Sequence, residues 1–100
     1  MTINKELNGS AMVISLDGWL DTTSSPELSE EIEKIGEISS LVFDFDKLEY
    51  ISSAGLRLVA ATAKKMRDMN ADFSIINAGV EVMSVFRITG LEKKFKITAK

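Results

Sequence analysis

The 100-residue sequence has no cysteine and no histidine, and only one proline, one tryptophan and one tyrosine. Without cysteine there are no disulfides, no thiolate metal ligands and no cysteine nucleophile. Without histidine the usual neutral-pH general base and the commonest metal ligand are gone. No apolar run approaches the ~18 residues of a membrane span. The opening residues Met1, Thr2, Ile3, Asn4, Lys5 and Glu6 lack the basic and apolar regions of a signal peptide. A soluble, cytoplasmic protein without membrane insertion is expected. Positive charge is also short: 12 Lys and Arg against 15 Asp and Glu leave a net charge of -3. That is the wrong sign for tracking phosphate backbones, so nucleic acid is not an expected partner.

What is present suits one domain spanning residues 1–100, because 45% of the residues are hydrophobic and 27% charged. A chain of this size buries about 60 to 65% of its unfolded surface, enough for a single core but not for a deep enclosed cavity. Segments 3–7 and 11–17 flank Asn8-Gly9, which predicts a β-hairpin with a type I′ turn and Met12, Ile14 and Leu16 on the buried face. Residues 18–23 are expected to be a connection. Ser24, Ser25, Pro26 and Glu27 then combine a capping hydroxyl, an early-turn proline and an acid at the positive end of a helix. Leu28, Ile32 and Ile35 give that helix one apolar stripe, Gly36 is placed to end it, and its acidic residues are expected to face water. Residues 41–45 resemble an interior strand covered on both faces. A second helix follows with Leu56, Val59, Ala60, Ala63 and Met66 at helical spacing. Strand 71–77, a helix ending at Thr89-Gly90, a short connector from Leu91 to Lys94 and a lysine-guarded edge strand at Phe95 and Ile97 complete the chain. The expected class is α/β, order ββαβαβαβ, with helices against a mixed four- or five-stranded sheet and right-handed parallel crossovers.

No phosphate-binding glycine loop, zinc-protease motif or nucleophile elbow is present. Carboxylates are paired at Asp44 with Asp46 and at Glu30 with Glu31; Asp44 and Asp46 share a face only if their strand runs that far, and they are the pair weighed for an acid–base or metal reading. A small enzyme or nucleotide-binding protein built on them and a helix N-terminus is one hypothesis. The bland alternative is an acid that bonds a neighbouring loop. The segment Tyr50-Ile51-Ser52-Ser53-Ala54-Gly55-Leu56-Arg57 stands out more. It crowds small residues and two hydroxyls onto the start of the long helix, where unpaired N–H groups and the positive dipole end accept a capping oxygen or an anion. A phosphate placed there adds about -1.5 to -2 charges and remodels any interface it enters. The alternative is that Ser52 or Ser53 only caps the helix while Ala54 and Gly55 are small for packing.

Ile51-Ser52-Ser53-Ala54-Gly55-Leu56-Arg57, preceded by an apolar strand with acids at Asp44 and Asp46, resembles the signature of STAS domains, above all bacterial anti-sigma factor antagonists. Gly18-Trp19-Leu20-Asp21 resembles the family's Gly-x-Leu/Ile-Asp motif, and Val85-Phe86-Arg87-Ile88-Thr89-Gly90-Leu91 its late helix ending in Gly-Leu. The resemblance implies a non-enzymatic switch without cofactor. Such a protein sequesters an anti-sigma factor that is also a serine kinase of the histidine-kinase-like ATPase fold, and so frees a sigma factor. Phosphorylation ends the interaction and a PP2C-type phosphatase restores it. Aligning Gly55 with the family's glycine puts the phosphoacceptor at Ser53, with Ser52 the second choice. Ser52 and Ala54 stand where many members have Asp and Ser or Thr. Asp21, Ser52, Ala54, Gly55, Arg57, Leu58 and Ala61 are the expected partner-binding residues. The competing reading within the fold is a non-phosphorylated STAS subunit of a transporter or other cytoplasmic complex. Trp19 is expected either to pack in the core or a loop, or to anchor an interface.

Overall fold

The computed structural model describes residues 1–100. Its elements are β1 (Thr2–Asn8), β2 (Ala11–Leu20), α1 (Ser25–Glu33), β3 (Ser40–Ile51), α2 (Ser53–Asp68), β4 (Asp72–Ala78), α3 (Val80–Thr89), a 3₁₀ turn (Leu91–Lys93) and β5 (Lys96–Ala99). The expected order ββαβαβαβ is met, with one five-stranded sheet ordered β1-β2-β3-β4-β5. β1 and β2 are antiparallel and the next three pairs are parallel. Each parallel pair needs a crossover, and α1, α2 and α3 supply one each.

Burial alternates along the strands. Ile14 and Leu16 of β2, Leu41, Phe43 and Phe45 of β3 and Ile75 of β4 are buried against Leu28 and Ile32 of α1, Val59 and Met66 of α2 and Val82 and Phe86 of α3. The intervening Val42 and Asp44 are only half-buried. β3 is therefore covered on one face, not on both as its apolar run suggested. Val42 makes the run look continuous while standing on the less protected side.

Three local features differ from the sequence reading, each for a physical reason. The hairpin turn is Gly9-Ser10, since Asn8 still pairs with Ala11. Only Gly9 takes a positive φ, of 62°, which fits a type II′ turn with glycine first rather than the I′ turn expected at Asn8-Gly9. The expected connection at 18–23 is shorter, because β2 continues through Gly18, Trp19 and Leu20 beside Leu48, Tyr50 and Ile51 of β3. Irregular register at Gly18, whose φ of 112° suits glycine alone, lets the strand bend and carry on. α1 ends at Glu33, ahead of Gly36, where the Lys65 ammonium from α2 donates to the Ile32 carbonyl at 2.7 Å. Its flank is less solvated than expected: Glu31 pairs with Lys5 of β1.

Candidate functional site: the N-terminal turn of α2

Parallel strands β2 and β3 end together, at Leu20 and Ile51, and only Ser52 separates β3 from α2. The Ser52 N–H donates to the Leu20 carbonyl at 2.9 Å, stitching the turn to the neighbouring strand. Ser52 is the N-cap, extended at φ -93° and ψ 176°, and its Oγ accepts from the Gly55 N–H at 3.3 Å. This is the bond that offsets one of the four orphan donors of a helix start. Ser53 is the first helical residue, is exposed, and forms no side-chain hydrogen bond within the protein. The two serines are thus divided: Ser52 holds the helix, and Ser53 offers its hydroxyl to solvent.

Gly55 explains why the turn is fixed. A Cβ built there lies 2.8 Å from Ile51 Cγ1, 2.8 Å from the Leu20 carbonyl oxygen and 2.9 Å from Leu20 Cγ. No side chain fits, and all three contacts are with residues locked in the sheet and core, Ile51 and Leu20. Gly55 is buried, so among the expected partner-binding residues it shapes the turn from beneath. The others divide by exposure. Arg57 and Ala61 are exposed, and Ala54 and Leu58 half-buried. At helical spacing Ala54, Leu58 and Ala61 form one stripe, and Ser53 and Arg57 form another directly beside it. The expected surface is therefore contiguous along the first two turns of α2.

Asp21 lies across from this turn, directly after Leu20. Its Oδ1 accepts from the backbone N–H groups of Thr23 and Ser24, each at 3.0 Å, with the Ser24 hydroxyl at 3.2 Å. These bonds, the Ser24 backbone N–H foremost, hold the Asp21 carboxyl below its ordinary pKa. The Ser24 hydroxyl has one hydrogen and directs it to the Trp19 carbonyl at 2.7 Å, while its oxygen accepts from the Asp21 N–H at 2.9 Å. Asp21 thus braces the chain as it leaves β2.

Trp19 is 56% exposed, which rules out core packing. Its ring lies 5.4 Å from that of Tyr50, its registered neighbour on β3, and its Nε1 donates to Glu49 at 3.2 Å. Tyr50, 48% exposed, is a surface aromatic that sequence reasoning missed. The pairing appears only once β2 is known to run past Gly18. Asp44 and Asp46 do lie on the same continued strand, but they are tied into structure. Asp44 Oδ1 accepts from the Asp46 N–H and from Asn77 Nδ2, each at 3.0 Å. Lys100 donates to the Asp46 carbonyl at 2.7 Å. No group of three or more His, Cys, Asp or Glu side chains converges in a way that holds a metal ion. No helix is long and apolar enough to cross a membrane.

The family model for the STAS domain matches residues 2–100. Over 92 residues the chain is 29% identical to "Anti-sigma-F factor antagonist RsfB" of Mycobacterium tuberculosis, covering 90% of this chain and 74% of that protein. It is 26% identical to "Anti-sigma-B factor antagonist" of Bacillus subtilis over all of this chain and 94% of that one. Its fold is similar to the crystal structure of an anti-sigma factor antagonist from Mycobacterium paratuberculosis. There the TM-score is 0.88 at 27% identity, covering 99% of this chain and 86% of the other. The chain belongs to the STAS domain family.

Proposed function

We propose that this STAS-domain chain is an anti-sigma factor antagonist, a binding protein switched by phosphorylation of Ser53. The observation that carries the reading is the division of labour at the start of α2. Ser52 is committed as the cap, leaving Ser53 exposed at the positive end of a 16-residue helix beside Arg57, Leu58 and Ala61. There is no acid in the first turn of α2. A phosphate on Ser53 meets favourable dipole and backbone N–H groups locally, so the fold tolerates it. The same group brings about two negative charges to the rim of the surface that Arg57, Leu58 and Ala61 present, and there it repels or desolvates a docked partner. The partner is an anti-sigma factor that is also a serine kinase of the histidine-kinase-like ATPase fold. A PP2C-type phosphatase reverses the step, and the chain itself performs no catalysis. The names of the relatives from Mycobacterium tuberculosis and Bacillus subtilis support the antagonist role.

The test is phosphopeptide mapping of the protein purified from growing and starved cells of its native host. Binding of wild type, Ser53→Ala and Ser53→Asp to the host's anti-sigma factor kinase is then measured with ATP present. Phosphate on Ser53 that changes with condition is expected. Ser53→Ala should keep the kinase bound through the ATP incubation, and Ser53→Asp should weaken binding at least tenfold with the fold intact. If Ser53→Asp binds as tightly as wild type, the charge mechanism is wrong. Absence of phosphate in every state favours the non-phosphorylated subunit reading, and phosphate on Ser52 moves the switch by one residue.

A further inference from the structure

Farther along α2, away from its N-terminal turn, the helix borders an open groove of about 650 Å³. The groove exists because α2 presents Ala60 and Ala63, one turn apart, toward the connector that carries Leu91 and Phe95. Two methyl groups cannot fill the space between a helix and a sheet edge. The opposite wall is aromatic: Phe73 and Phe95 meet edge to face with centroids 5.4 Å apart, and both remain half-buried. The groove is thus mixed and unsealed: an apolar strip of Ala60, Ala63, Phe73 and Phe95 lies beside the polar side chains of Lys64, Arg67, Asn70, Asp72 and Lys94.

The rim carries charge of one dominant sign. Lys64, Arg67 and Lys94 line it against a single acid, Asp72, in a chain whose acids outnumber its bases. Lys64 is paired with Asp68 at 3.1 Å, whereas Arg67 and Lys94 pair with no carboxylate. Arg67 lies in the last turn of α2, where a cation offsets the negative dipole end. Lys94, the C-cap of the 3₁₀ turn, lines the same opening. Two unpaired cations from different elements, flanking an apolar trough, complement an anion joined to an apolar body.

We infer that this groove binds a small amphiphile of the medium-chain carboxylate class. The aliphatic chain lies over Ala60, Ala63 and the Phe73–Phe95 pair, and the carboxylate sits at the rim between Arg67 and Lys94. The volume falls within the roughly 300–1,000 Å³ typical of small-molecule sites. The site uses none of the residues assigned to the Ser53 switch, so the two stand or fall separately.

The test is a titration of the isotopically labelled full chain with sodium decanoate below its aggregation concentration, followed by amide chemical shifts. Saturable shifts are expected in residues 60–73 and 91–95, with residues 52–58 unmoved. Ala63→Phe, which fills the trough, should abolish saturation. The double variant Arg67→Glu with Lys94→Glu changes only exposed side chains and so should stay folded, and it should bind at least tenfold more weakly. Shifts scattered over the whole surface, no saturation in wild type, or undiminished binding by the double variant would overturn the site.

Discussion

Two helices of this protein begin with the same dipeptide, Ser24-Ser25 at α1 and Ser52-Ser53 at α2, and the structure treats the pairs in opposite ways. At α1 the first serine is buried, gives its hydrogen to the Trp19 carbonyl and caps nothing with its side chain. Asp21 satisfies the backbone there in its place, and Pro26 and Glu27 follow at the positive helix end. At α2 the first serine is the cap, the second faces solvent, and no carboxylate stands in the first turn. At the α1 start Ser24 and Asp21 are held by internal bonds, the Ser25 hydroxyl is buried without a partner and acids stand close by, whereas the α2 start keeps one solvent-exposed hydroxyl and an unneutralised dipole end. A serine pair at a helix start is thus either a rivet or an exposed handle, and the neighbouring acid decides which.

The sharpest way to break this contrast is to disturb what seats the α2 turn. Gly55→Ala forces a methyl to within 2.8 Å of the Leu20 carbonyl, so α2 must lift from the ends of β2 and β3. Overpacking of this kind costs about 3 kcal/mol, read as a lower urea midpoint with an unchanged slope. Next comes the same substitution at the two serines. Ser24→Asp pushes a second carboxylate against Asp21 in a buried position and removes the donor to Trp19, for a loss of about 2 kcal/mol or more. Ser53→Asp sets an anion at an exposed helix start and should change stability by no more than about 0.5 kcal/mol, in the stabilising direction. Equal losses at the two positions would erase the distinction between rivet and handle. A smaller effect separates the α2 serines: Ser52→Ala removes the cap and should cost about 1 kcal/mol. Ser53→Ala should cost almost nothing in the same melt.

How much of this was legible in the sequence follows from which interactions are local. The stripe through Val59 and Met66 and the alternation of Ile14, Leu16, Leu41 and Phe43 come from single-element periodicity, and they gave the element order correctly. A capping serine at the start of α2 is equally local, since the cap bond spans three residues, but the sequence left Ser52 and Ser53 both open for that role. The errors arose where distant backbone decides. Gly18 reads as a loop glycine, yet its unusual φ lets β2 continue beside Leu48 and Tyr50, and this brings Trp19 to the surface. The burial of Ser24 depends on the Trp19 carbonyl five residues back, held in place by that same extended strand. Ser53 was singled out, as the expected phosphoacceptor, only through family resemblance, because nothing local distinguishes a capping serine from its neighbour.

The smallest expected effect is electrostatic and concerns the acid that makes the α1 start a rivet. Asp21 has its folded-state pKa lowered, chiefly by the Ser24 backbone N–H, with the Thr23 N–H adding in the same direction. A depressed carboxylate contributes stability that is complete above its unfolded value, about 3.9, and is lost as the pH falls through the folded value. Wild type should therefore lose stability below about pH 4 more steeply than Asp21→Asn, which retains an acceptor oxygen but does not titrate. Glu31, lowered by its bond to Lys5, acts in the same direction in both proteins and cancels from the difference. The two melting curves, followed from pH 6 to pH 2, should converge as the acid end is approached. Parallel curves would show that the Asp21 charge is not coupled to folding, and the rivet at α1 would then rest on the Ser24 hydroxyl alone. The α2 start has no acid in its first turn, so Ser52→Ala should shift the wild-type curve down by a constant amount across this range.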